Sequence, residues 1–300
     1  MQRGRLLLLT SPRLARGLEP VLDGTGLKAT ISPVASFNRR TLRASLRRHL
    51  RGEHPYRGVL VVTSSPGVAM RAIQGPCTQG IPTGIVVARR PRDLDAWIDG
   101  LRRVRHPSPK MGVMSMWNPF YLAWGERFAR SLRRGYGPLG ARVGFWGADR
   151  IYSESLCARL ARGVGLGVYA GHGRVRGWSG YRGLRWNHVE AVRQVSPQAC
   201  IIALTCDTLN FNSGRGVPFG ARWVMSGRCA SYLAPASSVP VEPLEPIGDI
   251  LAGAFRRGRC HTLAALVREV ESRVRALGRS DVLASWQKFR ILGNPLQRFI

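Results

Sequence analysis

Lysine is almost missing from this 300-residue chain: Lys28, Lys110 and Lys288 are the only three among 46 basic residues. Acidic residues are also few, 17 in all, so the formal charge is +29 and nearly all of it is arginine. A coding bias towards Ala, Arg and Gly accounts for the scarcity of lysine but not for the scarcity of acids. A field of that size favours association with polyanions or with an acidic partner protein. None of the six cysteines forms a C-x-x-C pair, so the spacing argues against a zinc site, and neither metal nor cofactor is expected. No apolar run nears the ~20 residues needed to span a bilayer, so no membrane partner is expected. Two arginines followed by four leucines open the chain, but this apolar segment is too short for a signal peptide and no prompt cleavage site follows. It reads as a buried first strand, and the expected location is cytoplasmic. No repeat of about 20–50 residues and no low-complexity tail is visible.

What is present is an ordinary globular composition, 44% hydrophobic, with enough length for one large or two modest domains. Arg5 to Thr10, Leu27 to Ser32, Gly58 to Thr63 and Gly84 to Ala88 read as strands. Between them Leu14 to Leu22, Thr41 to Arg51, Ser65 to Ile73 and Leu94 to Val104 read as helices. Leu42, Leu46 and Leu50 fall on one face of the second of these. Alternation of strand and helix predicts an α/β fold with a mostly parallel sheet covered on both faces. Arg105-His-Pro-Ser-Pro-Lys110 reads as a linker, dividing the chain into residues 1–108 and 109–300. The second half repeats the alternation, with strands at Met111 to Met116 and Arg142 to Trp146 and helices at Leu122 to Arg133 and Asp149 to Ala161. Asn187 to Val195 reads as a crossover helix. Arg174 to Tyr181 and the proline-rich Ser237 to Pro246 read as loops, with helices at Ile247 to Phe255 and Thr262 to Leu277 after them.

Two apolar runs in the second half each end in a reactive residue. Val164 to Gly171 leads into His172-Gly173, and Ala199 to Thr205 leads into Cys206-Asp207. Laid side by side as parallel strands, they bring His172 and Cys206 to one sheet edge, the edge where sites form in open α/β sheets. A thiol beside an imidazole is a nucleophile with its base. Gly171 and Gly173 allow close approach of backbone and substrate. His172 alone reads as a turn histidine; the thiol at the matching place is what changes the reading. Cys200, within a continuing strand, reads as a buried small hydrophobe. Asp207 reads first as a cap for the next turn. Gly165-x-Gly167-x-x-x-Gly171 is not a dinucleotide fingerprint, because its glycines lie within the strand and no acid follows about 20 residues on.

The run Tyr169-Ala-Gly-His-Gly173, followed by Ala203-Leu-Thr-Cys-Asp-Thr208, resembles the His-Gly and Cys motifs of caspase-like (clan CD) cysteine peptidases, in the branch of CHAT domains and gingipain-type enzymes. Phe219 to Ala234 resembles the helix and strand after the catalytic Cys, and Ile250 to Val270 the late helices. Phe289-Arg-Ile-Leu-Gly-Asn-Pro295 resembles a closing Gly-Asp-Pro motif, with Asn294 where the family has Asp. The likeness runs from Lys110 to Ile300. It implies a caspase-like α/β/α sandwich of two halves, the first inactive. It also implies His172 and Cys206 as catalytic residues and the backbone amides of Gly173 and Cys206 as oxyanion donors. Many relatives prefer a basic residue before the scissile bond. Asp149 and Asp207 are the nearest acids in sequence for such a pocket, and Trp117, Trp146 and Trp178 are candidate aromatic walls.

The resemblance implies a cysteine endopeptidase that cleaves a partner protein, regulated in a bacterial defence complex of the RNA-guided or a similar kind. The alternative is a catalytically silent caspase-like subunit that binds an acidic protein or an RNA-containing assembly. Retention of His172 and Cys206 favours the enzyme. Basic residues are spread along the chain and no aromatic motif for RNA accompanies them, which favours an acidic regulatory protein over direct nucleic-acid contact.

Overall fold

The computed structural model describes residues 5–18 and 28–300. Its first part runs β1 (Arg5–Thr10), α1 (Pro12–Ala15), β2 (Lys28–Pro33), α2 (Arg39–His49), β3 (Tyr56–Thr63), α3 (Pro66–Ala72), β4 (Cys77–Thr78), β5 (Ile81–Val87) and α4 (Asp95–Arg103). The second runs β6 (Lys110–Ser115), α5 (Pro119–Tyr136), β7 (Arg142–Gly147), α6 (Ser153–Ala161), β8 (Leu166–Ala170), β9 (Gly173–Arg174), β10 (Gly177–Trp178), β11 (Leu184–Arg185), α7 (Trp186–Glu190) and β12 (Gln198–Leu204). It closes with α8 (Phe219–Met225), β13 (Cys229–Pro235), α9 (Val241–Arg257), α10 (Leu263–Ala276), α11 (Ser280–Trp286) and β14 (Phe289–Gly293).

Local chemistry sets these elements. Leu6 to Leu9 are all fully buried, as expected for a strand covered on both faces. Asn38 caps α2, its Oδ1 accepting from the Thr41 amide at 2.9 Å, and Leu42 and Leu46 form the buried stripe. Asn118 caps α5 in the same way, accepting from the Phe120 amide at 2.9 Å, with Pro119 in the first turn where its missing N–H costs nothing.

The strands join into one eleven-stranded sheet in the order β2-β1-β3-β5-β14-β13-β12-β8-β6-β7, with β4 added on β5. From β2 to β14 all neighbours on that path are parallel, and from β13 to β7 they are parallel again. The two blocks meet antiparallel at β13 and β14. The carboxyl ends of the second block therefore lie at the edge opposite to those of the first. Two apolar layers cover the sheet, and β12 shows how: Ala199, Ile201 and Ala203 face one layer, Cys200, Ile202 and Leu204 the other.

Three sequence expectations change. Arg174 to Tyr181 is not a bare loop: β9, β10 and β11 form a small antiparallel sheet. Its Trp178 and Tyr181 are buried, and that anchoring is what orders it. The prolines of Ser237 to Pro246 do not keep that stretch irregular, since α9 begins at Val241. Pro243 falls in the first turn, where it breaks no helical bond, and Pro246 removes only one. The crossover helix stops at Glu190 rather than Val195. The helix expected over Leu14 to Leu22 extends into residues outside those described.

Candidate active site

The register of β8 against β12 pairs Ala170 with Leu204, and the Gly171 amide donates to the Leu204 carbonyl at 3.2 Å. His172 and Cys206 stand two residues beyond those partners, at matching places past the carboxyl ends of adjacent parallel strands. His172 is exposed and Cys206 half-buried. Gly173 presses on the turn that carries Cys206: a β-carbon there would overlap the Thr205 hydroxyl and lie 2.9 Å from the Cys206 carbonyl. Only glycine permits that approach.

The His172 turn is held from below. Its carbonyl accepts from the Tyr169 hydroxyl at 2.9 Å and from the Ser179 amide at 2.9 Å. The Tyr169 hydroxyl in turn accepts from the Gly180 amide at 3.2 Å. The Tyr169 ring stacks on Trp178, centroids 4.2 Å apart and planes 8° from parallel. Trp178 donates its indole N–H to the Tyr232 hydroxyl at 3.1 Å. Trp178, expected as a pocket wall, is completely buried and offers no surface to a substrate. Its work is to tie the small sheet to β8 and β13.

The imidazole has a neighbour that sequence reasoning missed. Tyr121, in the first turn of α5, places its hydroxyl 3.5 Å from Nδ1 of His172, with the two rings edge to face at 5.2 Å. Burial, and after it the negative charge of an ionised Cys206, push the Tyr121 hydroxyl upward, so it stays protonated. Cys206 has a second neighbour from the segment after β13. The Val239 amide donates towards Sγ at 3.5 Å, and the Val239 carbonyl lies at 3.5 Å.

Asp207 has a positive φ of 58°, a conformation that Asp tolerates better than most residues. Its carboxylate accepts from Asn210 Nδ2 at 3.0 Å and Ser238 Oγ at 2.9 Å. It thus braces the Cys206 turn against the Val239 segment. Asp149 follows β7, and β8 and β6 lie between that strand and β12; its carboxylate pairs with Arg150 at 3.3 Å. Trp146 is partly buried against the core, whereas Trp117, between β6 and α5, is 59% exposed. The other five cysteines are buried, and burial pushes the thiols of Cys157, Cys229 and Cys260 up to about 12. Among the described residues no cluster of His, Cys, Asp and Glu could hold a metal ion, and no helix is long and apolar enough to cross a membrane.

A family model described as peptidase family C25 matches residues 132–299, more than half of the chain and the whole His172–Cys206 region. The chain belongs to that family. This C25 protein is a cysteine-type endopeptidase of the caspase-like kind. No curated protein sequence matches it. Among solved structures it is similar to one described only as a protease, with a TM-score of 0.77 at 12% identity, covering 99% of this chain and 79% of that chain. It is similar to the Arg-specific cysteine proteinase gingipain R, with a TM-score of 0.73 at 13% identity, covering 99% and 78%. It is also similar to the Saccharomyces cerevisiae separase–securin complex, with a TM-score of 0.51 at 15% identity, over 84% of this chain and 17% of that chain. At such identities the likeness is one of fold, and the fold is the caspase-like α/β sandwich.

Proposed function

We propose that Cys206 is the nucleophile and His172 its acid–base partner, and that the C25 peptidase uses them to cleave a partner protein. The observation that supports this is the matching register of β8 and β12, with Gly173 against the Cys206 turn. With Tyr121 at Nδ1, Nε2 of His172 is left to exchange protons with the reacting atoms. The Cys206 thiol loses its proton to His172, and Sγ attacks the scissile carbonyl carbon. The amides of Gly173 and Cys206 donate to the oxyanion that forms. As the C–N bond breaks, His172 returns its proton to the leaving amine, and a thioester remains on Sγ. His172 then takes a proton from water, whose oxygen attacks the thioester carbon; the C–S bond breaks, His172 returns the proton to Sγ, and the acid is released.

Cleavage is under the control of a regulatory protein with an acidic surface, in a cytoplasmic assembly of the bacterial defence type. The charge of +29 supports the acidic partner. The resemblance to CHAT domains supports the setting and the presence of RNA in the assembly. That the solved separase is held in a complex with securin is in keeping with control by a bound protein. The residues 1–108 and 109–300 act as an inactive half and a catalytic half. The direct test of the dyad is labelling with an electrophilic peptide. Wild-type protein is modified at Cys206, and His172→Ala loses the modification. A Cys206→Ala protein that cuts peptides at the wild-type rate overturns the assignment.

A further inference from the structure

Five arginines converge on two adjoining clefts. Arg174, Arg176, Arg185 and Arg215 line one cleft of about 370 Å³, and Arg176, Arg185, Arg215 and Arg222 line an adjoining one of about 470 Å³. Among the described residues none of the five has a carboxylate within ion-pair distance, whereas eight other arginines do. Arg185 is fixed in place by donating to the Trp178 carbonyl at 3.2 Å. Guanidinium groups gathered without counter-charge repel one another, and an anion bound among them removes that repulsion.

The walls of the clefts are the two segments that follow the dyad residues. Arg174 and Arg176 follow His172 on β9 and its turn. Arg215 and Arg222 follow Cys206, on the loop to α8 and on α8 itself. The Phe219 amide joins the two walls by donating to the Val175 carbonyl at 2.8 Å. A ligand here therefore rests on the two chain segments that lead away from His172 and Cys206. The second cleft also has an exposed apolar part, from Val217. The clefts lack an exposed aromatic platform for bases, since Phe219 is buried and Trp186 is half-buried edge-on to Trp223.

Resting on the peptidase reading, we propose that this arginine cleft binds an acidic segment of the polypeptide substrate that flanks the scissile bond. Carboxylates on the segment pair with Arg176 and Arg215, the guanidinium fork giving two parallel hydrogen bonds per carboxylate, and an apolar side chain rests on Val217.

Binding is measured first, on the Cys206→Ala protein, by anisotropy of a fluorescent peptide that carries an Asp/Glu-rich segment. The same peptide with Asn and Gln in those places is the comparison. The acidic peptide binds roughly tenfold tighter or more. Charge reversal at the exposed pair, R176E with R215E, inverts the ranking of acidic against Lys-substituted peptides. Charge reversal at Arg39 and Arg40, exposed on α2 in the other block of the sheet, leaves the ranking as it was. Equal affinity for acidic and neutral peptides overturns the proposal. So does an equal effect of the Arg39 and Arg40 reversal, which would make the attraction one of net charge. So does single-stranded RNA that displaces the acidic peptide and loses its own binding in R176E with R215E. Labelling of Cys206 by a small uncharged electrophile in wild type and His172→Ala reports separately on the dyad, so the two readings fail independently.

Discussion

The Tyr121 hydroxyl stands 3.5 Å from Nδ1 of His172, and its ring meets the imidazole edge-on. The contact holds the imidazole, while the Tyr169 and Ser179 bonds hold the His172 carbonyl. In the ion pair of imidazolium and thiolate, Nδ1–H donates to the Tyr121 oxygen. Tyr121→Phe keeps the ring contact and removes that acceptor. A hydrogen bond of this kind is worth about 1 kcal/mol, so kcat falls roughly fivefold while KM holds. A kcat unchanged in Tyr121→Phe would reduce Tyr121 to packing.

Cys206 differs from the other cysteines in exposure, and this has two measurable consequences. In native protein near pH 8, iodoacetamide modifies Cys206 alone; after unfolding it modifies all six cysteines. Mass spectrometry of the labelled peptides checks this. Burial also holds the thiols of Cys157, Cys229 and Cys260 at about 12, against 9.0 when unperturbed. Between those values the folded state keeps protons that the unfolded state has lost. The contribution to stability is therefore full below about pH 9 and is lost as pH rises towards 12. Urea midpoints fall steadily from about pH 9 upward, and a midpoint that is flat to about pH 11 contradicts the burial of these thiols.

Arg290 ties β14 to α3, an element of the first part of the chain. Buried on β14, it donates to the Met70 carbonyl in the last turn of α3 at 2.9 and 3.3 Å, and to the Gln287 and Phe289 carbonyls at 2.6 and 2.7 Å. Among the described residues it has no carboxylate partner, and burial alone lowers the guanidinium to about 10. Carbonyls at a helix end lack partners within the helix, and this side chain supplies one. Arg290→Met removes the guanidinium from the Met70 and Phe289 carbonyls, leaves Gln287 only its bond from the Gly75 amide, and removes one buried charge. The two effects oppose, and the lost hydrogen bonds win by about 2 kcal/mol. Chemical denaturation reads this directly, with Arg290→Lys intermediate. A Met variant as stable as wild type would show that water replaces the guanidinium.

Strand positions were legible because apolar runs such as Arg5–Thr10 and Gln198–Leu204 are buried on both faces and carry their own signal. His172 and Cys206 were legible for the same reason, since each closes such a run. The small sheet β9–β11 was not, because its strands are two residues long and depend on Trp178 stacking on Tyr169, a contact made only in the folded chain. Tyr121 and Val239 were missed because they reach the dyad from α5 and from the segment after β13, and no local spacing announces that meeting. Asn294 replaces the Asp of the closing motif without loss of the turn after β14. Its Oδ1 accepts from the Leu296 amide at 3.0 Å, which a carboxylate in that place does equally well.

Gly173 offers the sharpest separation of catalysis from folding. It sits after His172 on β9, and a side chain there has no room against the Thr205 hydroxyl and the Cys206 carbonyl. Both neighbours belong to the turn that carries the thiol, so Gly173→Ala moves the sulfur relative to the imidazole. The turn is half-exposed and lies outside the two apolar layers, so the core is untouched. The rate is the quantity at risk: misplacement by about 1 Å costs on the order of a hundredfold in kcat. The expected outcome is an unfolding midpoint close to wild type, with kcat reduced about a hundredfold and labelling of Cys206 slowed in parallel. Labelling at the full rate with kcat lost would place the damage at the Gly173 amide as an oxyanion donor instead. A Gly173→Ala protein with wild-type kcat would mean that the two turns move apart freely, and the close packing of Gly173 on the Cys206 turn would then have no part in the chemistry.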